Sequence, residues 1–309
     1  MSVRKRKWLW AGLAALVVVA ALLFEPSATA LGWLRGEPFF QGRSATAWRR
    51  DLRETDEVEA ASATEALAGG SSSALPLCAW LLRNAPEPQV RTRAIHAIQK
   101  MGKAATPAGP DLVAALSDGD PLVRGAAARA IGDLAPEVPG AVPVLVGIFP
   151  DREAMRAVGE FKQAGAAAVP RLIELLAHGD PAVRRQAVRT LSRIGRPALD
   201  ALPALIELVL RDEEPGVREF AAAVLGEFES IIASRGEPHP TASSILPALV
   251  AALADADAKV RLEAVLSLGR MEHRAAAALE ELRGLADDPD PGVSKAAKDA
   301  VRKIEAKRK

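Results

Sequence analysis

Six times along the chain, apolar residues return to the same places on a helical stripe. Take Val90, Val123, Val183, Val217, Val260 and Val293 as position zero. Alanine then stands at plus four (Ala94, Ala127, Ala187, Ala221, Ala264, Ala297), and an aliphatic residue at plus eight (Ile98, Ile131, Leu191, Leu225, Leu268, Val301). Met101, Leu134, Ile194, Phe228, Met271 and Ile304 follow at plus eleven. With about 3.6 residues per turn, these offsets share one side of an α-helix. The small residue at plus four predicts a place where two helices come close. An acid stands at minus three in every copy (Glu87, Asp120, Asp180, Glu214, Asp257, Asp290), where its side chain or charge suits a helix N-terminus. Proline follows that acid in every copy but one, where Ala258 stands instead, and it fits the first helical position.

Each such helix has a partner before it, opened by another proline: PDLVAAL from 110, PVLVGI from 143, PRLIELL from 170, PALIELV from 203 and PALVAAL from 247. The predicted unit is a helical pair. The valines are spaced 33, 60, 34, 43 and 33 residues apart, so the 60 hides a degenerate copy, read as DREAMRAVGEF at 151–161 with Ala157 and Phe161 on the stripe. A weaker pair is read over residues 58–82. One pair cannot cover its own apolar stripe, whereas stacked pairs share a continuous core. The predicted fold is therefore all-α, an α-solenoid of about seven repeats over residues 58–305.

The first residues break this pattern. Arg4, Lys5, Arg6 and Lys7 precede an uncharged apolar run at 8–24, the arrangement of a signal-anchor or a secretory signal. The expected organisation is a basic cytoplasmic tail at 1–7, a transmembrane helix at 8–24 and a linker and cap at 25–57. The repeats and a basic tail at 306–309 follow. The body is expected outside the cytoplasm, anchored in the membrane; the alternative is secretion after cleavage at Ala28-Thr29-Ala30, following Ala30. The charge balance of +1 conceals this asymmetry, because without the four leading cations 36 basic residues face 39 acidic ones. A body with no basic excess is a poor nucleic-acid binder. Cys78 is the single cysteine, which excludes an internal disulfide or a cysteine zinc cluster.

The signature D-P-x-V-R-x-x-A-x-x-x-[LI], at 120–131, 180–191 and with Glu at 214–225, resembles HEAT repeats. It is most similar to the short bacterial HEAT-like repeats also found in phycobilisome lyase subunits. The resemblance implies that the V-R helices line a concave side. It also implies that the arginine after each valine (Arg91, Arg124, Arg184, Arg218, Arg261) links neighbouring repeats in a ladder with the acid before the valine. FFQGRSATAWRRDL at 39–52 resembles a G-x-S-x-x-x-W lead-in to HEAT arrays in some exported bacterial proteins, with Trp48 as a lid on the first repeat.

Catalytic chemistry finds little support. His96, His178, His239 and His273 fall on separate elements, and no HExxH, CxxC, G-x-S-x-G or phosphate loop is present. DGDP and DADA lack the later ligands of a calcium loop and read as helix caps. No cofactor or metal is expected. The concave positions read as a basic stretch of Arg93, His96, Lys100, Arg129, Arg185, Arg189 and Arg193. It passes into Glu219, Phe220, Leu262 and Leu266, a pattern suited to an extended protein or peptide ligand, although an ordinary solvated helix face would look the same. The insertion at 229–244 reads as a binding loop or a tolerated insertion. The expected function is a non-enzymatic, membrane-tethered interaction scaffold. The alternatives are lyase or chaperone-lyase activity on a bilin-type tetrapyrrole, or HEAT-like DNA repair.

Overall fold

The structure is a computed structural model that describes residues 29–138, 140–235 and 239–306. Apart from one small hairpin, the described residues form helices, and the chain divides into two compact units between Ala141 and Val142. The run at 8–24 lies outside the described residues, as do the tails at 1–7 and 307–309. Among the described residues no helix is long and apolar enough to cross a membrane.

The first unit opens with a corner of short elements: α1 (Thr29–Leu34), β1 (Phe39–Phe40) and β2 (Arg43–Ser44). Next come α2 (Ala45–Arg53), α3 (Glu57–Gly69), α4 (Leu75–Asn84), α5 (Pro88–Lys100), α6 (Gly109–Ala115) and α7 (Pro121–Leu134). The strands pair antiparallel, Phe39 opposite Ser44 and Phe40 opposite Arg43. Gln41 and Gly42 close them with φ of 50° and 71°, the sign pattern of the type I′ turn that favours glycine in its second place.

This corner explains the lead-in motif. Gly42 makes the turn, and Ser44 caps α2 by accepting from the Ala47 amide at 3.4 Å. Trp48 is buried with its ring centroid 5.7 Å from that of Phe40, and its Nε1 donates to the Phe40 carbonyl at 3.1 Å. Phe40 in turn lies against Gly70 at the end of α3, so the lid is shared between two aromatic rings. The pairing read over 58–82 is corrected: α3 packs on α2, and α4 packs on α5. Within this unit α3, α5 and α7 stack in succession, with α4 and α6 forming a second layer.

The second unit follows the same plan. Its helices are α8 (Ala141–Gly147, beginning at the boundary), α9 (Arg152–Glu160), α10 (Val169–Leu175), α11 (Pro181–Ile194) and α12 (Leu202–Arg211). They continue with α13 (Pro215–Arg235), α14 (Ile245–Ala252), α15 (Ala258–Met271), α16 (Leu279–Gly284) and α17 (Pro291–Ala306). Here α9, α11, α13, α15 and α17 stack in succession, each of the last four against the helix that precedes it in the chain order of pairs. The insertion at 229–244 is not a loop throughout, because α13 continues through it to Arg235. Glu229 is buried there and accepts from Arg274 at 2.7 and 3.0 Å.

The predicted stripe is the core. All six valines and all six alanines at plus four are buried, as are the residues at plus eight and plus eleven except Val301, which is half-buried. Asp120, Asp180, Asp257 and Asp290 cap their helices, each accepting at 2.8 Å from the amide two residues on. Glu87 makes no side-chain cap bond, being the weaker capping residue. Its carboxylate takes Arg49 at 2.8 and 2.6 Å instead.

The close approaches between stacked helices lie at two further small positions. At plus seven, the Thr190 hydroxyl donates to the Met155 carbonyl at 3.0 Å and the Ser267 hydroxyl to the Ala222 carbonyl at 3.1 Å. At plus nine, a Cβ added to Gly226 would stand 2.5 Å from Ser267 Oγ, and one on Gly269 would stand 3.3 Å from the Ala300 Cβ.

The ladder forms at four of the five expected arginines, and its acid is a different one; Arg124 instead donates to the Asp118 and Gly119 carbonyls at 2.8 and 3.1 Å. Arg91 pairs with Asp118 (2.8 Å for both bonds), Arg184 with Asp212 (2.7 Å for both), Arg218 with Asp255 (2.7 and 2.8 Å) and Arg261 with Asp288 (2.9 Å for both). These aspartates stand at minus five of the next copy, because the acid at minus three already serves as the cap. Each aspartate also accepts at 2.8–2.9 Å from the backbone amide two residues on. Each arginine sends Nη1 to two carbonyls of its own turn, as Arg184 does to His178 and Gly179 at 2.8 and 3.2 Å. Burial opposes the charge of Asp118 and Asp255, but hydrogen bonds from arginine and backbone outweigh it and hold both carboxyls below the ordinary range. For Asp288 the Arg261 hydrogen bond is the leading cause of the same shift.

Candidate binding face

The positions predicted to line a binding face fall on the stacked V-R helices, α5 and α7 in the first unit and α11, α13 and α15 in the second. They differ in what holds them. In the first unit, Arg93 is drawn away from solvent. It donates to the Leu52 and Glu54 carbonyls at 2.6 and 3.2 Å and to Glu57 Oε1 at 2.9 Å, tying α5 to the turn between α2 and α3. Lys100 pairs with Glu65 of α3. His96 is half-buried between these groups and Arg129, and burial first, then the three neighbouring cations, pull its pKa below the ordinary value. The basic stretch is thus partly neutralised by α3, whose acids the reading of V-R offsets did not include.

In the second unit, Arg193 pairs with Glu160 of α9 and lies across Gly159. Arg185 extends over the first turn of α13, its Nη1 3.2 Å from where a Gly216 Cβ would stand. Arg189 is exposed and places its guanidinium carbon 4.3 Å above the Phe220 ring, within cation–π range. Leu262 is half-buried at plus two of α15, and Leu266, at plus six, is 41% exposed. Leu266 lines a cavity of about 220 Å³ with Val265, Gly269, Ala296, Asp299 and Lys303. Positions plus two and plus six carry two arginines on α11 and two leucines on α15, with Phe220 at plus three of α13 between them and an apolar cleft edged by lysine beyond. Such a surface can hold an extended chain bearing an acidic group near α11 and apolar side chains toward α15 and α17.

A larger cleft of about 610 Å³ lies along α16 and α17, lined by Leu282, Ala286, Pro291, Lys298 and Val301 among others. The second cleft, of about 440 Å³, sits beside the Arg184–Asp212 pair. The lining of the latter includes His178, Glu207 and Glu213 beside that pair. The histidine Nδ1 atoms of His178 and His239 accept local backbone amides at 3.0 and 3.3 Å. Among the described residues, no group of three His, Cys, Asp or Glu side chains is placed to hold a metal ion. Cys78 is buried, and burial pushes its thiol up to about 12.

Comparison with known proteins agrees with this architecture. HEAT repeats match residues 75–158, 150–226 and 246–309. No curated protein matches the chain. Among solved structures, the chain is similar to an engineered protein at 23% identity, covering 84% of this chain and 78% of that one with a TM-score of 0.55. Two other engineered proteins match at 23% and 24% identity, each covering 85% of this chain and 96% or 98% of theirs, with TM-scores of 0.41 and 0.42. The first likeness supports the fold alone. With its buried stripe, its capped V-R helices and family matches across most of its length, the chain belongs to the HEAT-repeat family.

Proposed function

We propose that this protein is a non-enzymatic interaction scaffold, tethered to a membrane by residues 8–24, that holds an extended segment of a partner protein on the V-R helices of its second unit. HEAT repeats commonly serve as protein-interaction scaffolds, and the observation that carries the reading here is that Arg185 and Leu262 at plus two, and Arg189 and Leu266 at plus six, stand on either side of Phe220 at plus three along the V-R helices. An exposed leucine and two half-buried apolar side chains, next to an exposed arginine that stacks on one of them, are unusual for a purely solvated face. Four cations before an uncharged run support the tether, with the repeats on the side opposite the cationic end.

The test is affinity capture with the full-length protein from solubilised envelope, run beside a Phe220→Asp, Leu266→Asp variant whose melt is unchanged. A partner held by the original protein and lost by the variant supports the reading. Equal recovery with both places binding elsewhere, and turnover of a small molecule by the purified protein overturns the non-enzymatic assignment. An epitope at each end, probed in intact and opened cells, tests the tether separately.

A further inference from the structure

The corner that opens the first unit turns large apolar side chains outward. Trp33 is 76% exposed, Leu34 69% and Phe39 36%. Their exposure is built in, because α1 is held firmly from its other side. Gly32 is buried so close to Ser44 that an added Cβ would stand 2.4 Å from the Ser44 Cβ and 3.1 Å from the Phe39 ring. The Gly32 carbonyl accepts from the Arg35 and Glu37 amides at 3.2 and 2.9 Å. Glu37 is itself buried and accepts from the Thr46 amide and hydroxyl at 2.8 and 2.6 Å, which locks this loop onto α2. With Gly32 facing inward, Trp33 and Leu34 cannot, and Phe39 lies against Gly32 on the same corner. Arg35 follows directly; its Nη1 stands 3.9 Å from Glu37 Oε1 and its side chain is 58% exposed.

We propose that Trp33, Leu34 and Phe39 form a foot that seats the first unit in the headgroup region of the bilayer; this rests on the tether reading. Chain length fixes the occupant. Five residue steps separate Phe24, the last of the apolar run, from Thr29, so α1 lies at most about 18 Å from the end of that run. The headgroup layer on each side of a roughly 30 Å hydrocarbon core is several ångströms thick, so the foot is confined to its neighbourhood. Tryptophan favours that layer because its ring is apolar and its N–H finds a partner there. An adjacent arginine suits anionic lipid.

The full-length protein is reconstituted into vesicles of phosphatidylcholine and phosphatidylglycerol. An environment-sensitive fluorophore is placed at Trp33→Cys or, as a second probe should that site disturb α1, at Leu34→Cys. The reference is Val58→Cys on α3, which is 78% exposed, while native Cys78 is buried. The foot predicts a blue-shifted label at residue 33 or 34 that is quenched by lipids carrying a nitroxide at the headgroup, and a label at 58 that shows neither. Vesicle-bound protein with equal, solvent-like signals at all sites overturns the foot and leaves the tether standing. A blue shift without nitroxide quenching also overturns it, since protein rather than lipid then covers the corner. Protein that does not float with the vesicles overturns both readings.

Discussion

At the residue scale, one position along a helix decides whether an arginine is structural or available. Arg184 at plus one lies in the ladder, its side chain 14% exposed against Asp212 at 3%, and it uses three nitrogens on four acceptors. Arg189 at plus six touches Phe220 from solvent. Removing the first leaves a buried carboxylate without its partner, which costs several times more than losing an exposed cation–π contact. Arg184→Ala is therefore expected to lower stability by about 3 kcal/mol, and Arg189→Ala by about 0.5 kcal/mol, in urea melts. Equal effects would show that the ladder is not the stabilising element. The sequence distinguished these arginines only through family likeness, and it assigned the ladder to the acid at minus three. That acid is needed at the helix start, and two aspartates separated by one residue are indistinguishable by pattern alone.

At the element scale, the apolar stripe was legible because burial imposes a period that polar faces do not share. The small positions at plus seven and plus nine were not singled out, since alanine and glycine there look like ordinary helix content in an alanine-rich chain. A second regularity is visible only in the backbone. The residue after plus eleven takes positive φ at Gly102 (58°), Gly195 (74°) and Glu272 (53°), so each helix ends on a residue whose backbone favours glycine. Lys162 does the same at 50°, which aligns Phe161 with plus eleven and fixes the register of the degenerate copy. Two substitutions test the packing. Ala187→Asp buries a carboxylate in a fully covered site and is expected to cost several kcal/mol, on the order of 3 or more. Gly226→Val drives a side chain into Ser267 and should destabilise by about 2–3 kcal/mol, whereas Gly179→Ala, with open space around it, should change the melt little. A harmless Gly226→Val would mean that α13 and α15 do not approach at this point.

At the scale of the whole molecule, the chain divides into two compact units between Ala141 and Val142, within the stretch of repeats that the sequence predicts over 58–305. The boundary falls at the start of the helix pair that holds the degenerate copy. In the register fixed by Phe161, that copy has Leu145 at minus five and Asp151 at plus one, so it carries neither the ladder acid nor the ladder arginine. Each unit keeps ladder pairs of its own, Arg91–Asp118 in the first and Arg184–Asp212, Arg218–Asp255 and Arg261–Asp288 in the second. This distribution makes a directional prediction about acid. Asp118, Asp255, Asp288 and Glu87 ionise more readily when folded than when unfolded. Between the two sets of values the unfolded chain therefore binds more protons, and their stabilisation is complete above the ordinary carboxylate range near pH 4 and is lost as pH falls through the depressed values. His96 acts in the same direction at a higher pH. Its folded pKa is lowered by burial and by nearby Arg129, Lys100 and Arg93, so the unfolded chain takes up its proton first as pH drops below about 6.5. Urea midpoints are thus expected to decline shallowly as pH falls below about 6.5 and steeply below about 4. His96→Asn should remove the shallow phase and leave the steep one, while the paired change Arg261→Met, Asp288→Asn should reduce the steep one. A midpoint that stays constant from neutral pH to pH 3, or rises, would show that the ladder carboxylates are not held ionised by their arginines.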